Sequence, residues 1–96
     1  MSTSSLREAQ AKRLTVSDDS LVVDLADGRT IAAPLGWFPR LVHATVEERA
    51  NWRIIGDGSG IHWPDLDEDI SVESLLAGRG SAESSESLER WLAQRR

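Results

Sequence analysis

Three glycines in five residues, Gly56-Asp57-Gly58-Ser59-Gly60, stand between two short apolar runs, Trp52–Ile55 and Ile61–Trp63. Glycine at that density marks a turn whose backbone angles other residues avoid. The two runs are therefore predicted to fold back on one another as a hairpin. Pro64 holds Trp63 extended and stops the second arm. A short acidic run follows, and then the signals of a helix. Ser71 suits the N-cap and Glu73 the first turn, Ile70 and Leu75 take the N′ and N4 positions of a hydrophobic staple, and Gly78 lies just past the end. Trp52–Leu76 thus reads as a hairpin and a helix over Val72–Ala77, with Trp52, Ile54, Ile61, Trp63 and Leu75 as core. None of these residues names a chemistry.

The rest of the chain is read around that unit. Ser5-Leu-Arg-Glu8 fits a capping box, but Leu6 is the one bulky apolar side chain near it, so a frayed helix or a disordered tail is expected. Leu14–Val16 is a short strand and Asp18-Asp19 a turn. Leu21, Val23 and Leu25 alternate with Val22 and Asp24, the period of a half-buried strand. A two-residue turn at Asp27-Gly28 would mix the two faces. A three-residue loop, Ala26-Asp27-Gly28, sets Val23 opposite Ile31 and Leu21 opposite Ala33 and is preferred for that reason. Pro34 ends the second strand. Pro39 suits a helix start, Phe38, Leu41 and Val42 form an apolar stripe, and Thr45-Val-Glu-Glu48 is a second capping box. A helix, a break near Ala44 and a new helix from Val46 are predicted. After Gly78 the composition turns small and polar, as in a linker, and a last helix follows. Ser84 or Ser85 caps it, and Leu88, Trp91 and Leu92 share one face.

Ninety-six residues allow one domain. The expected fold is a small two-layer α+β domain, a mostly antiparallel sheet covered by short helices, plus a C-terminal amphipathic helix. Residues 1–13 are assigned as an N-terminal tail, 14–78 as the domain, and 79–96 as linker and helix. Between Leu14 and Gly78 four arginines face twelve acids, while both ends carry a small positive excess. An acidic body argues against a broad nucleic-acid surface; it serves solubility in the plainer reading and also suits a basic protein partner, which it would steer. The N-terminus has no apolar signal-peptide core and no apolar run is of membrane-spanning length, so a cytoplasmic protein with no membrane partner is expected.

Candidate chemistry is sparse. The chain lacks Cys, which excludes thiolate metal sites and a Cys nucleophile. An EF-hand loop begun at Asp65 would need Gly at its sixth position and Glu at its twelfth, where this chain has Ile70 and Leu76. The acids Asp65, Asp67, Glu68, Asp69 and Glu73 are expected to cap the helix and stay solvated. His43 and His62 lack a spaced third ligand. The serines lie mostly in the tails without an elbow motif, and the GDGSG turn lacks the Lys of a phosphate loop, so a hairpin loop is preferred to an anion nest. No catalytic, cofactor or metal residue is assigned, and no enzyme is expected. The candidate site is the tail face Leu88, Trp91 and Leu92. A helix that short is marginal alone, so the face either covers a surface (its own sheet, a sister subunit, or a groove in a partner) or the tail is disordered.

The string GIHWPDLDEDISVESLL, preceded by PLGWFPRLVHATVEERANWRIIG, resembles the bacterial family called domain of unknown function 2442, over about Leu14 to Gly78. The resemblance implies a small α+β domain and no established activity. Some relatives are encoded beside a second small protein, of domain of unknown function 4160, in what look like toxin–antitoxin pairs. The expected function is accordingly a protein-interaction module, the antitoxin-like member of such a pair, binding a small basic protein. The alternative is a dimeric nucleic-acid-binding regulator that uses Arg7, Lys12, Arg13, Arg90, Arg95 and Arg96 at the ends.

Overall fold

The computed structural model describes residues 9–95, so the capping box expected at Ser5–Glu8 lies outside the described residues. Strand β2 (Ser20–Leu25) is the middle of a three-stranded antiparallel sheet, and its alternation sends Leu21, Val23 and Leu25 into the core. Strand β3 (Thr30–Pro34) pairs with it with Leu21 opposite Ala33 and Val23 opposite Ile31, the register the three-residue loop requires. In that loop Gly28 has φ +95°, and its N–H donates to the Leu25 carbonyl at 3.1 Å. A residue with a Cβ resists that angle. Strand β1 (Ala11–Val16) pairs along the other edge of β2 and starts three residues before the predicted Leu14. Its register shifts between Ala11 and Arg13. A bulge of this kind turns residues at odd spacing to one face, and Ala11 and Leu14 are both buried.

After Pro34 a 3₁₀ turn over Leu35–Trp37 leads to α1 (Pro39–Val42), with Pro39 at its first position. Phe38 and Leu41 are buried as the stripe predicts, but Val42 is exposed. A one-turn helix offers the core a narrow stripe, and Leu41 fills it. The break at Ala44 has a visible partner. Arg49 donates from Nε to the Leu41 carbonyl at 2.9 Å, which also accepts from the Ala44 N–H at 3.2 Å, and from Nη2 to the Val42 carbonyl at 3.0 Å, so its side chain caps the end of α1. Helix α2 (Val46–Ala50) opens on the reciprocal capping box of Thr45 and Glu48.

The second half forms another three-stranded antiparallel sheet, β4 (Arg53–Ile55), β5 (Gly60–Trp63) and β6 (Glu68–Ser71). The glycine-rich turn between β4 and β5 carries positive φ at Gly56, Asp57 and Gly58 in succession. Gly58 also lies against the start of β1, where a Cβ would stand 2.6 Å from the Gln10 Cβ. Asp65, Asp67, Asp69 and Glu73 are exposed as expected, but strand β6 corrects the reading of Glu68 and Asp69 as part of a helix cap and leaves Glu68 half-buried. Pairing with β5 overrides the low strand propensity of Asp and Glu, setting Ile70 opposite Ile61 and Glu68 opposite Trp63. The connecting turn, Pro64–Asp67, drives Leu66 fully into the core. Helix α3 (Val72–Leu76) follows, capped by Ser71 accepting from the Ser74 N–H at 3.0 Å. It ends in a Schellman pair, Gly78 N–H to the Leu75 carbonyl and Arg79 N–H to the Ser74 carbonyl.

The domain is α+β, as expected, with the sheet divided into two halves that feed one core. Trp63, Ile61 and Leu66 meet Leu21, Leu35 and Leu41 in that core, while Trp52 and Ile54 pack half-buried at its margin. The Trp63 indole N–H donates to the Arg49 carbonyl at 3.1 Å, satisfying its polar end and fixing α2 to the second sheet.

Candidate functional site beneath the C-terminal helix

Helix α4 (Ser85–Gln94) is capped by Ser84, whose side chain accepts from the Ser87 N–H at 3.1 Å. The helix is clasped to the body at both ends. Before its first turn, Glu83 receives the Arg40 guanidinium, with Nη2 at 2.6 Å and Nε at 3.0 Å. At its last turn, Arg95 forks onto Glu48 at 2.7 and 3.1 Å. Trp91 lies between, with the Arg95 and Arg40 guanidinium carbons 4.4 and 5.1 Å from its ring centroid, both within cation–π range. The approach segment is pinned as well, because the Ser81 N–H donates to the Trp37 carbonyl at 2.9 Å.

Of the predicted face, Trp91 packs on the core margin, while Leu88 and Leu92 are half-buried. Among the described residues of α4 none is fully buried. The helix is thus held largely by ion pairs and one aromatic ring, and its apolar face remains partly uncovered.

Arg40 is the centre of the clasp. Its side chain is 15% exposed and that of Glu83 is 9% exposed, so this pair is far better shielded than an ordinary surface bridge. Arg40 Nη1 also donates to the Leu66 carbonyl at 2.8 Å, so one guanidinium joins α1, the Pro64–Asp67 turn and the approach to α4. The bonds to Glu83 raise the Arg40 pKa. The same bonds, with one from the Ser87 hydroxyl at 2.8 Å, hold Glu83 below the usual glutamate range. Glu48 is likewise held low by Arg95 and by the Thr45 N–H.

Glu68 is the exception. Strand alternation puts it on the same face as Trp63, Ile61 and Ile70, the face that looks into the core. Burial, opposed by Arg40 and reinforced by Glu83, Asp69 and Asp67, pushes its carboxyl up to about 7. An open cleft of about 360 Å³ between the Pro64–Asp67 turn and α4 is walled by Arg40, Leu66, Asp67, Ser87, Arg90 and Trp91.

The other candidates lie elsewhere. His43 is exposed at the end of α1. His62 stands on the outer face of β5 in a cross-strand row with Arg53 and Asp69, its Nδ1 2.5 Å from the Asp69 carboxylate. Among the described residues no group of three or more His, Asp or Glu is arranged to hold a metal ion, and no helix is long and apolar enough to cross a membrane. Of the basic residues at the ends, Arg13 pairs with Asp24 and Arg95 with Glu48, and Arg7 and Arg96 lie outside the described residues. Sequence reasoning missed Arg40, Glu83 and Glu68. The first two are far apart in sequence and belong to no local pattern. Alternation would have exposed Glu68 had β6 been recognised.

A sequence profile of the family described as "Protein of unknown function (DUF2442)" matches residues 11–81. The fold is similar to the crystal structure of a protein of unknown function from Rhodospirillum rubrum. That likeness has 32% identity and a TM-score of 0.66, over 77% of this chain and 92% of that one. It is also similar to the solution structure of an uncharacterized protein from Chromobacterium violaceum, at 24% identity and a TM-score of 0.67, over 98% of this chain and 83% of that one. No curated protein matches.

Proposed function

We propose that this chain, which belongs to the DUF2442 family, is a cytoplasmic protein-interaction module of the antitoxin kind, without catalytic activity of its own. Its contact surface is the face of α4 that carries Leu88, Trp91 and Leu92, and its partner is a small basic protein. The observation that supports this reading most is the half-covered state of that face on a helix held by ion pairs. An amphipathic helix that meets a partner uses such apolar positions three and four residues apart as anchors. The acidic body, with pI near 4.9 for the whole chain, supports a basic partner, whose approach it speeds.

The test is co-purification of the tagged full chain from its native source, followed by reconstitution of the purified pair. A one-to-one complex with a small basic protein, weakened at least tenfold by Leu88→Glu with Leu92→Glu, is the expected result. Full binding by that double variant would remove α4 from the account. Recovery of a self-associated chain alone would remove the heterologous partner.

A further inference from the structure

Beside the clasp that holds α4 stands a half-buried carboxylate, Glu68. Positions on the inner face of β5 and β6 are otherwise apolar: Ile61, Trp63 and Ile70 are all buried there. Glu68 occupies the fourth, and hydrophobic packing gives no reason for an acid in that place. Its charged surroundings come from each element packed against it. Arg40, from α1, places Nη1 3.4 Å from the carbonyl of Asp67, the residue before Glu68, and Nη2 2.6 Å from Glu83, ahead of α4, while Asp69 is the next position along β6; these four are the charges that act on Glu68. One cation therefore faces two acids from different elements. Arg40 is bonded to Glu83, and the charge of Glu68 acts on that same Arg40.

We propose that the Arg40–Glu83 clasp is a pH-sensitive latch on α4: an ionised Glu68 competes for Arg40, repels Glu83 and loosens the helix, and a protonated Glu68 leaves the latch shut. Loosening α4 uncovers Leu88, Trp91 and Leu92, so the latch regulates the surface assigned above to the partner and rests on that reading for its purpose. Its direction follows from Coulomb's law alone. A second negative charge beside Glu83 weakens the anchor of the arm, and the partly dry setting magnifies the effect. The carboxyl of Glu68, raised to about 7, changes charge in the neutral range, where a carboxylate in water would already be fully ionised.

The experiment is a pH titration of the full chain, labelled with nitrogen-15, from about pH 5.5 to about 8.5. The reporter is the indole N–H signal of Trp91, assigned with Trp91→Phe. In the wild type this signal is expected to move with a midpoint near 7. In Glu68→Gln it is expected to stay at its low-pH position throughout. In Glu83→Gln, which lacks the anchor, it is expected to sit at the high-pH position throughout. His62→Asn, which removes the imidazole bonded to Asp69, is expected to keep the wild-type transition. A flat wild-type signal, an unchanged transition in Glu68→Gln, or a wild-type titration in Glu83→Gln each overturns the latch. If far-UV circular dichroism shows Glu68→Gln unfolded, the wild type and Glu83→Gln still decide the question. No partner enters the measurement, so a failed latch leaves the partner reading standing, and a missing partner leaves the titration standing.

Discussion

Removing Arg40 tests how α4 is held. Truncating one member of a shielded ion pair costs about 3–5 kcal/mol when the other charge stays buried and unpaired. Glu83 need not stay buried, since it can follow α4 into water. The loss is then capped by whatever keeps the arm docked. Half-burial of Leu88, Trp91 and Leu92 contributes about 1 kcal/mol each. The cation–π contacts of Trp91 add about 1 kcal/mol and the Arg95–Glu48 fork about 0.5 kcal/mol. Ordering the arm offsets about half of this sum, and loss of the Arg40 bond to the Leu66 carbonyl adds about 1 kcal/mol, so the ceiling is about 3–4 kcal/mol. Arg40→Met should reach that ceiling, Glu83→Gln should cost about 1–2 kcal/mol, and the double variant should cost no more than Arg40→Met alone. The coupling between the two positions is then about 1–2 kcal/mol, within the range for residues in direct contact. Urea unfolding followed by far-UV circular dichroism measures all four members of the cycle. The Arg40→Met slope should also fall, because its native state already exposes the arm. Strictly additive losses with an unchanged slope would refute the account of the clasp.

Three further outcomes follow from the geometry. Gly58→Ala should lower stability by about 2–3 kcal/mol, because strain at positive φ adds to a Cβ placed 2.6 Å from the Gln10 Cβ; Gly28→Ala, with open space around it, should lower stability by only about 1 kcal/mol, and thermal melts separate the two. Leu66→Ala removes a side chain with 0% exposure and should cost about 2–5 kcal/mol by urea titration, against about zero for a solvated loop residue. Stability should peak in mildly acid solution. Folded Glu68 holds its proton up to about 7 where the unfolded residue releases it near 4.5, so the folded state binds more protons and stability falls as pH rises across that window. Glu83 and Glu48, held below their ordinary value, lose their contribution as pH falls through their folded range. Urea titrations at a series of pH values should show both arms, and Glu68→Gln should flatten the upper arm alone.

What could be read from the sequence is what short-range physics determines. The register of β2 and β3 followed from keeping Leu21 and Val23 on one face, and the loop length then had a single consistent value. The caps at Thr45, Ser71 and Ser84 were legible because a hydroxyl three residues before an N–H is a local relation. Strand β6 was hidden because Asp65, Asp67, Glu68 and Asp69 read as loop, and only pairing with β5 makes an acidic run extended. Val42 misled because the periodicity of a long helix was assumed for one that lasts a single turn. The candidate site was legible only as a helix face. The clasp beneath it joins Arg40 to Glu83 and Glu48 to Arg95, across loops that no pattern along the chain records.

The Schellman end of α3 has a consequence for any encounter in solution. It directs the chain straight into the short segment 79–84, so α4 is tethered within reach of its own seat. A tether that short keeps the helix at an effective concentration on the order of millimolar around that seat. A protein that binds the apolar face therefore competes with an internal ligand that dilution cannot remove. If the arm is open about 1% of the time, the observed affinity is about 100-fold weaker than that of the bare face. Substitutions at Arg40 or Glu48 would then tighten binding while leaving Leu88, Trp91 and Leu92 untouched.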